Sequence, residues 1–443
     1  GVSTRILFEP RPRTADTSLR RVAFHLTNVA GRVAETLPGV SARLLFCAFL
    51  AVSLLAQDWP QFLGPARNGT YSGKDLGAKW PASGPPLLWK KEAGAGFSSP
   101  VVSQGKLLIF HRREGKDLLD CLDAKSGAAL WTYESPTGYR DDFGFDEGPR
   151  STPAIAGGRV FIFGAEGVLQ AIDFASGKKI WSVDTHRQFG VQKGFFGAAC
   201  SPVVDGARVL MNIGGPKSAG IVAFDAATGK TLWTATNDEA GYASPVVAAM
   251  AGAKHALFFT RAGLIDADPE TGKVRAQLPW RARMQASVNA AAPLVVNDLV
   301  LASASYGVGA ILVRVTANGF QKIWSSDDAL SSHYAAIVHR DGFLYGFHGR
   351  QEEGASLRCI ELNTGKVRWN VDGLRAGTVT LAGDRLLIQR EDGELVVAAS
   401  SPDAFRPLMK AKLLPAVVRS YPAISGGIYY LRNERTLAAF SLR

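Results

Sequence analysis

The chain has 443 residues, of which 47% are hydrophobic, 20% are charged and only 4 are cysteine. This composition excludes a disordered protein, a disulfide-stabilised scaffold and a collagen-like chain. The net charge of +11, from 50 basic and 39 acidic residues, raises the question of a nucleic-acid or anionic-surface partner, and the answer depends on where the charge lies.

Residues 1–56 have the pattern of a basic leader followed by a secretory signal peptide. They carry seven Arg against three acidic residues, a net +4, and residues 44–56 form a short apolar run that ends at Ala56. We predict cleavage after Ala56 and export to the periplasm or the medium. The apolar run is too short to span a membrane comfortably. An over-extended reading frame is an alternative origin of residues 1–39.

The remaining +7 is spread over residues 57–443, which contain no run of five like charges. Because a nucleic-acid footprint normally clusters its charge, we expect no nucleic-acid partner. Cys121, Cys200 and Cys359 are far apart and form no CxxC motif, so we expect buried, unpaired thiols. Residues 57–85 are predicted to be an N-terminal extension, and we expect a monomer.

From residue 86 onward one phrase recurs eight times. A clear copy begins with Ser201-Pro202-Val203-Val204 and ends with Thr228-Gly229-Lys230 and Leu232-Trp233. The copies begin near residues 100, 153, 202, 245, 293, 335, 380 and 422, a spacing of about 42 to 53 residues, which is the length of a four-stranded propeller blade. Residues 86–443 are therefore predicted to be all-β and to form an eight-bladed β-propeller.

The repeat carries three further structural predictions. Its Asp-x-x-[Ser/Thr]-Gly-Lys phrase is a tight turn, because Asp bonds its own backbone and Gly accepts a left-handed conformation. The Trp that follows is expected on the outer strand, packed between blades, and occurs at positions 89, 131, 181, 233, 324 and 369. The last copy has room for three strands, so residues 86–90 are predicted to complete its blade and close the ring. No helical period is found beyond residue 57.

The repeat Ala-x-Asp-x-x-[Ser/Thr]-Gly-Lys-x-x-Trp resembles that of the pyrroloquinoline-quinone (PQQ)-type propeller family, over about residues 86–443. The segment from Asp58 to Gly69 is similar to the opening of exported single-domain members of this superfamily. The superfamily includes quinone-dependent alcohol dehydrogenases and an outer-membrane assembly lipoprotein that binds no quinone. The resemblance therefore implies the fold and leaves two classes of function open.

The dehydrogenase alternative makes demands that the resemblance specifies. Similar proteins with that activity carry an adjacent Cys–Cys pair beside the cofactor, a stacking Trp in the funnel, and Ca²⁺ ligands from Glu, Asn and Asp. This sequence has no adjacent Cys pair, and its Trp residues are assigned to outer strands, to a similar place in the fourth blade, or to the extension. We expect no cofactor, with PQQ and Ca²⁺ as the alternative.

The loops before the inner strands line one mouth of the central channel, where function is expected. Residues 139–150 and 185–196 form long loops rich in charged and aromatic side chains, and residues 237–242 add two carboxylates. Together with positions in the sixth and eighth blades, they form the predicted binding face, which comprises Arg140, Asp141, Asp142, Asp146, Glu147, Arg150, Arg187, Lys193, Phe195, Phe196, Asp238, Glu239, Tyr242, His333, Tyr334 and Arg419.

Three interpretations of this face stay open. Arg150 and Lys193 could hold a carboxylate or phosphate. The carboxylates of the first loop could bind Ca²⁺, although their spacing does not match a calcium loop, and they are Asp141, Asp142, Asp146 and Glu147. Charged loops can also simply be solvated and form ion pairs with one another. His333, His339 and His348 could have a metal-binding or catalytic role. The alternative is that they are ordinary strand histidines that bond to backbone groups.

We predict a non-catalytic binding or scaffold module for a protein, peptide or glycan of the cell envelope. The alternative is a PQQ-dependent dehydrogenase that oxidises an alcohol or a sugar. No catalytic residue is assigned by the sequence under either hypothesis.

Overall fold

A computed structural model describes residues 58–443, so the predicted leader and signal peptide lie outside the described residues. Eight antiparallel sheets follow one another along the chain and form the blades of a β-propeller. Each blade has a buried inner strand, two middle strands and a partly exposed outer strand. The predicted eight-bladed fold is confirmed. None of the helices within residues 58–443 is long and apolar enough to cross a membrane.

Two strands precede the blades in the chain, and they are β1 (Thr70–Tyr71) and β2 (Leu87–Glu92). Each of the first four blades then consists of four consecutive strands. The first blade contains β3 (Val101–Ser103), β4 (Lys106–Arg113), β5 (Lys116–Asp123) and β6 (Ala129–Pro136), and the second contains β7 (Ala154–Ala156), β8 (Arg159–Phe163), β9 (Val168–Asp173) and β10 (Lys179–Asp184). The third contains β11 (Val203–Asp205), β12 (Arg208–Gly215), β13 (Ala219–Asp225) and β14 (Thr231–Ala235), and the fourth contains β15 (Val246–Met250), β16 (Ala253–Phe259), β17 (Gly263–Ala267) and β18 (Val274–Pro279).

The next three blades also have four consecutive strands, and the eighth has three of its own. The fifth blade contains β19 (Leu294–Val296), β20 (Leu299–Ala304), β21 (Gly309–Thr316) and β22 (Gly319–Ser326), and the sixth contains β23 (Val338–Arg340), β24 (Phe343–His348), β25 (Ser356–Glu361) and β26 (Val367–Val371). The seventh contains β27 (Gly377–Ala382), β28 (Arg385–Arg390), β29 (Glu394–Ala399) and β30 (Arg406–Lys412), and the eighth contains β31 (Ala423–Ser425), β32 (Ile428–Arg432) and β33 (Thr436–Ser441).

The ring closes in the eighth blade. Strand β2 pairs antiparallel with β33, with Trp89 opposite Ala439 and Glu92 opposite Thr436. The strand before the first repeat thus supplies the outer strand of the last blade, as predicted, so the eighth blade has four strands and the edge of β33 is paired.

The core consists of apolar layers between neighbouring blades. The middle strands are buried on both faces because a sheet packs against each side of them. In one layer Phe161 and Phe163 of the second blade pack with Met211 and Phe224 of the third. The outer strand β6 instead alternates between exposed and half-buried residues, because one of its faces meets solvent.

The repeat Trp and the repeat Gly form one contact between blades. The ring of Trp181 on β10 packs on Gly229 in the Thr-Gly-Lys turn of the third blade, and its indole nitrogen donates to the carbonyl of Ala226 at 3.1 Å. Asp225 shapes that turn by accepting the backbone N–H of Thr228 at 2.8 Å. The same Trp-on-Gly contact recurs between other neighbouring blades, at glycines 127, 177, 272 and 365. The predicted packing of the Trp between blades is therefore confirmed.

One helix departs from the sequence prediction. Thr185–Phe189 form the short helix α1, where no helical pattern was expected. Asp184 accepts the backbone N–H of Arg187 at 2.9 Å and caps its start, and Gly190 ends it in a left-handed conformation. A single capped turn is too short for a 3.6-residue hydrophobic period to be seen.

Residues 58–71 fill the axial channel, and we call this segment the axial plug. Trp59 pairs with Val102 of the first blade, and the carbonyl of Pro60 accepts from Ile155 of the second. At the other end β1 pairs with β27 in the seventh blade, where Thr70 lies opposite Leu381. Leu63 at the turn of the plug packs against the fifth, sixth and eighth blades through a cluster with Ala292, Ala336 and Tyr421.

Arg67 links the plug to the third and fourth blades. Its guanidinium donates to the carbonyls of Pro245 and Pro202 at 3.0 Å and of Ser201 at 3.3 Å. The residue is 5% exposed, and burial lowers the pKa of Arg67 to about 10, so the side chain stays charged at neutral pH. With this contact the plug touches, in each of the eight blades, the inner strand or the residues immediately before it.

The Trp-on-Gly contact leads to a test with a matched control. Gly229 has a φ of 73°, and an added Cβ would lie 2.7 Å from the ring of Trp181. Gly105 has the same φ of 73° and no neighbour within 4 Å of an added Cβ. We expect Gly105→Ala to lower the free energy of unfolding by about 1 kcal/mol through backbone strain alone. Gly229→Ala should lower it by about 3 kcal/mol, because the clash adds to the strain. Equal losses in chemical denaturation would contradict the proposed role of the contact.

Candidate functional site

A funnel lies above the turn of the axial plug, on the face that carries the loops before the inner strands. Its volume is about 430 Å³, and Phe62 of the plug belongs to its lining. Aromatic side chains dominate its wall, and they are Phe97, Phe143, Phe145, Phe195, Phe196, Tyr242, Tyr306 and Tyr334. Because the plug occupies the channel below, the funnel is closed at its base and open above, and its volume is that of a small-ligand pocket.

Hydroxyl groups tie neighbouring blades together at the floor of the funnel. The backbone N–H of Tyr421 donates to Ser99 Oγ at 2.9 Å, and that of Ser99 donates to Thr152 Oγ1 at 3.1 Å. In the same way the backbone N–H of Thr152 donates to Ser201 Oγ, and that of Ser201 donates to Ser244 Oγ, both at 2.9 Å. Each of these hydroxyl oxygens accepts one backbone hydrogen, which links the eighth, first, second, third and fourth blades at the floor.

Three arginines line the funnel with their guanidinium groups close to aromatic rings. Arg350 lies 4.6 Å from the ring centre of Tyr306, and Arg419 and Arg150 lie 5.5 Å and 5.9 Å from that of Phe97. The Nη1 atom of Arg150 is buried and has no hydrogen-bond partner within residues 58–443. Arginines held in this way can offer paired donors to a carboxylate or phosphate.

Asp141 positions Arg150 from below the surface. Its buried carboxylate lies 3.5 Å from Nη2 of Arg150 and accepts the backbone N–H groups of Phe145 at 2.7 Å and Asp146 at 2.9 Å. Burial by itself would raise the pKa of Asp141, but the backbone donors and Arg150 outweigh it and lower that pKa. The charged carboxylate therefore organises the loop of residues 139–150.

Glu391 holds Arg419 and Tyr334 in the lining of the funnel. Its carboxylate lies 3.1 Å from Nε of Arg419 and accepts the hydroxyl of Tyr334. Burial, together with this carboxylate, raises the pKa of Tyr334 well above its ordinary value, so its hydroxyl keeps its proton and remains a donor.

The histidines of the sixth blade are satisfied separately and do not converge. His333 has Nδ1 at 2.9 Å from the amide oxygen of Gln351 and Nε2 at 2.9 Å from the hydroxyl of Tyr306. Because the amide oxygen only accepts, Nδ1 carries the proton, and burial lowers the pKa of His333. His339 and His348 each accept a backbone N–H at 3.1 Å. These contacts favour the interpretation as ordinary strand histidines.

A second cavity, which we call the side cavity, adjoins the funnel. Its volume is about 480 Å³, and Phe195, Tyr242 and Val288 line both cavities. Much of the remaining lining is polar and comprises His186, Gln192, Lys193, Asn212, Asn237, Glu239, Arg261, Ser287 and Asn289.

The structure divides the predicted binding face into three groups. One group lines the funnel, and its members are Arg150, Phe195, Phe196, Tyr242, His333, Tyr334 and Arg419. Two further residues line the side cavity only, and they are Lys193 and Glu239. The rest line neither cavity, and they are Arg140, Asp141, Asp142, Asp146, Glu147, Arg187 and Asp238.

The four carboxylates of the first loop do not form a metal site. Asp141 and Asp146 accept backbone N–H groups, whereas Asp142 and Glu147 pair with basic side chains at 2.6 Å and 2.9 Å. Within residues 58–443 no three His, Cys, Asp or Glu side chains come together in a way that could hold a metal ion. The weak calcium interpretation therefore has no geometric support in this loop.

Sequence reasoning missed Arg350 and Tyr306. Both lie in connections between the second and third strands of their blades, which emerge on the same face as the loops before the inner strands because successive strands alternate in direction. An arginine or aromatic residue in these second connections is a signal that could have found them. Phe143 and Phe145 lie in a predicted loop, but its composition did not indicate which aromatic rings face the funnel.

The loop of residues 139–150 is anchored by Arg112 on β4. Its buried guanidinium donates to the carbonyl of Tyr139 at 2.7 Å and to that of Glu147 at 3.0 Å. Asp117 lies opposite Arg112 in the β4–β5 pair and is buried as well. Arg112 thereby supports the part of the wall that contains Arg150.

A family model of PQQ-type repeats, described as outer membrane protein assembly factor BamB, matches residues 80–192 and 188–371, which together are more than half of the chain. This chain belongs to the PQQ-like β-propeller family. The membership agrees with the resemblance carried by the repeat and with the eight-bladed fold.

Named relatives of this PQQ-like propeller include alcohol dehydrogenases. It is 28% identical over 168 residues to the quinohemoprotein alcohol dehydrogenase of Comamonas testosteroni, an alignment that covers 36% of this chain and 22% of the relative. It is 34% identical over 142 residues to the dehydrogenase subunit of the quinone-type alcohol dehydrogenase of Gluconobacter oxydans (strain 621H), covering 30% of this chain and 18% of the relative. The chain spans about a fifth of the length of these relatives.

Solved structures share the fold at low sequence identity. The crystal structure of the quinohemoprotein alcohol dehydrogenase from Comamonas testosteroni gives a TM-score of 0.63 at 15% identity and covers 93% of this chain and 84% of that chain. The computationally designed Ika8 protein gives a TM-score of 0.54 at 11% identity and covers 80% of this chain and 98% of that chain. Similarity at this level shows the fold alone.

The funnel of the PQQ-like propeller does not fit the PQQ and Ca²⁺ pair. The arginines and aromatic rings suit the carboxylates and planar ring of a quinone, but the cation needs several oxygen ligands. Glu352 is the one carboxylate residue in the described lining of the funnel, and it is 3.3 Å from Arg350. No Trp lines the funnel within residues 58–443. A calcium ion would therefore lack its ligand set here.

Asp117 gives a test of the anchor below the loop of residues 139–150. Burial raises the pKa of Asp117 from its ordinary 3.8 to about 7, although Arg112 opposes this shift. The folded protein is therefore penalised as the pH rises from the ordinary pKa through the raised one, because the unfolded chain loses this proton first. We expect Asp117→Asn to stabilise the protein by about 2 kcal/mol near pH 8, with the difference decreasing towards about pH 4. Denaturation curves that differ by the same amount at both pH values would contradict this account.

Proposed function

We propose that this PQQ-like propeller is a binding protein whose funnel takes an anionic segment of a peptide or protein with apolar or aromatic side chains. The observation that carries the proposal is the state of Arg150. Its guanidinium lies against aromatic rings in the funnel wall, and its buried Nη1 atom has no hydrogen-bond partner within residues 58–443. A buried donor without a partner is expensive, and Nη2 is already held by the carbonyl of Asp146 at 3.0 Å and by Asp141, so a bound carboxylate or phosphate would pair with this guanidinium after a small shift of the lining that exposes Nη1.

The anionic part of the ligand is supported by the arginine set. Arg350 and Arg419 join Arg150 in the lining, and Glu352 is the carboxylate residue among the described lining residues. The carboxylates of Asp141 and Glu391 hold Arg150 and Arg419 without belonging to that lining. The surface that faces a ligand is therefore richer in guanidinium groups than in carboxylates, which favours an anion.

The apolar part of the ligand is supported by side chains at the rim. Phe143 is 53% exposed, Phe145 is 55% exposed and Met284 is 52% exposed, and all three line the funnel. Exposed apolar side chains grouped around a concave site are typical of a binding surface. A segment that carries both an anion and an apolar side chain satisfies the two kinds of group together.

We place this binding outside the cytoplasm and propose an envelope protein or peptide as the source of the segment. The support is the basic and apolar pattern of residues 1–56, which has the form of a signal peptide. The +7 spread over the rest of the chain favours no nucleic acid.

The test uses anilinonaphthalene sulfonate, a fluorescent aromatic anion, and its neutral parent anilinonaphthalene. We expect Arg150→Gln and Arg419→Gln each to weaken binding of the anion about tenfold, because each removes charge-assisted hydrogen bonds. Binding of the neutral parent should stay the same. Arg406→Gln is the matched control, because Arg406 is exposed on the outer strand β30 and does not line the funnel.

A peptide then replaces the dye as competitor. A short peptide that ends in Phe with a free carboxylate should displace the anion, and its C-terminal amide should displace it poorly. Equal affinity of the anion for the wild type and both funnel variants, or equal displacement by the two peptides, would refute the proposed function.

The relatives named as alcohol dehydrogenases favour one alternative, a PQQ-dependent dehydrogenase, which can be tested with the same purified protein. Adding pyrroloquinoline quinone with and without Ca²⁺ separates binding of an aromatic carboxylate from assembly of a cofactor. We expect that Ca²⁺ does not strengthen quinone binding and that no alcohol-dependent dye reduction occurs. Calcium-dependent binding with turnover would establish the dehydrogenase instead of the binding protein.

A further inference from the structure

The side cavity contains buried polar atoms that the protein leaves without partners. Asn212 and Ser287 line it and are each 2% exposed. Neither Oδ1 of Asn212 nor Oγ of Ser287 has a hydrogen-bond partner within residues 58–443. Native structures seldom leave such atoms unpaired, since each costs about 1–3 kcal/mol. Two of them lie at this one cavity, where a polar occupant would satisfy them.

The orientation of two amides defines what this occupant must offer. The Nδ2 atom of Asn289 donates to the carbonyls of Thr260 and Trp280, both at 2.9 Å. Nδ2 of Asn212 donates to the carbonyl of Phe259 at 3.3 Å. Because carbonyls only accept, the amide nitrogens must be on that side, and the amide oxygens are left as acceptors. The occupant must therefore donate hydrogen bonds.

The charges around the side cavity are already paired. Lys193 lies 2.6 Å from Asp142, and Arg261 lies 2.5 Å from Glu239. Burial lowers the pKa of His186, which favours its neutral form at neutral pH. A cationic donor would meet two basic side chains against the single carboxylate of Glu239, and an anion would not satisfy the amide oxygens. The donors of the occupant are therefore best supplied by neutral hydroxyl or amide groups.

Aromatic and glycine residues complete the cavity. Phe195 and Tyr242 provide aromatic surface on the side shared with the funnel, and Arg261 is 5.3 Å from the ring centre of Phe195. Five glycines, at positions 190, 194, 197, 214 and 241, leave backbone within reach of a ligand. Aromatic surface beside amide and hydroxyl groups matches a compact molecule with apolar C–H faces and many hydroxyl groups.

We propose that the side cavity is a second binding site, which takes a neutral saccharide unit, either as a free sugar or as part of a glycan. The volume of about 480 Å³ is in the range of small-ligand pockets. The hydroxyl groups of the sugar donate to Asn212, Asn289 and Ser287, and its C–H faces lie on Phe195 and Tyr242. This site shares Phe195 and Tyr242 with the funnel but contains none of the three funnel arginines.

The experiment uses cellobiose, maltose, lactose and diacetylchitobiose at millimolar concentration, with saturation-transfer NMR to detect binding and calorimetry to measure it. We expect at least one of these neutral disaccharides to bind, and the cationic sugar glucosamine not to bind. Binding by none of the four would overturn the proposal, since it would mean that ordered water alone satisfies the buried atoms.

Variants then locate the bound sugar. Ser287→Ala should weaken binding about tenfold, because it removes one hydroxyl and little volume. Ser151→Ala is the matched control, since Ser151 also has a buried hydroxyl without a partner but lines neither cavity. Unchanged affinity in Ser287→Ala would place the sugar elsewhere and overturn the proposal.

Arg150→Gln separates this site from the funnel. We expect it to leave sugar binding unchanged while it weakens the aromatic anion. Loss of sugar binding in this variant would mean that the sugar occupies the funnel, against the proposal.

Discussion

The structure depends on how the axial channel is filled. A ring of eight sheets leaves a channel along its axis, which is lined by the inner strands of the blades. The axial plug packs apolar side chains and one buried guanidinium into this space. Arg67 is central because it donates to three carbonyls from two blades and replaces the water that those carbonyls would otherwise require.

Filling the channel also determines what the upper face can do. With Phe62 in its lining, the funnel is a bowl with aromatic walls, and its arginines are set against rings and held by carboxylates. The resulting geometry suits recognition of an amphipathic anion more than it suits calcium-assisted redox chemistry. The side cavity next to it has a largely polar lining, and under the two proposals the two cavities would recognise different kinds of chemical group.

The fold was predictable from the sequence because each of the eight blades is encoded by its own copy of the repeat. The repeat glycine, such as Gly229, and the repeat tryptophan, such as Trp181, form a contact between neighbouring blades. The distance along the chain between successive copies of the repeat indicates the length of a blade. The closing strand β2 was predictable because its sequence matches the last strand of a repeat, while the earlier strands of that repeat are missing before it. The plug was not predictable as such, because residues 58–71 occur once and show no period, and their partners are distant in the chain.

The site was only partly predictable for a related reason. Loop composition led to Arg150, Phe195 and Tyr242, which do line the cavities. It also selected Asp141 and Asp146, whose carboxylates serve backbone N–H groups, because sequence does not distinguish a ligand-facing carboxylate from one that shapes its own loop. Asn212 and Ser287 gave no signal, since their importance lies in the partners that they lack.

Hydrogen–deuterium exchange of residues 58–71 tests the central claim most directly. If the plug is seated in the channel, amides such as Trp59 and Leu381, which bond across the plug–blade contact, should exchange as slowly as amides of the middle strands. Arg67→Met should speed the exchange of the plug more than that of the outer strands. Exchange of residues 58–71 at the rate of an exposed loop in the wild type would contradict the account, because the funnel would then have no floor.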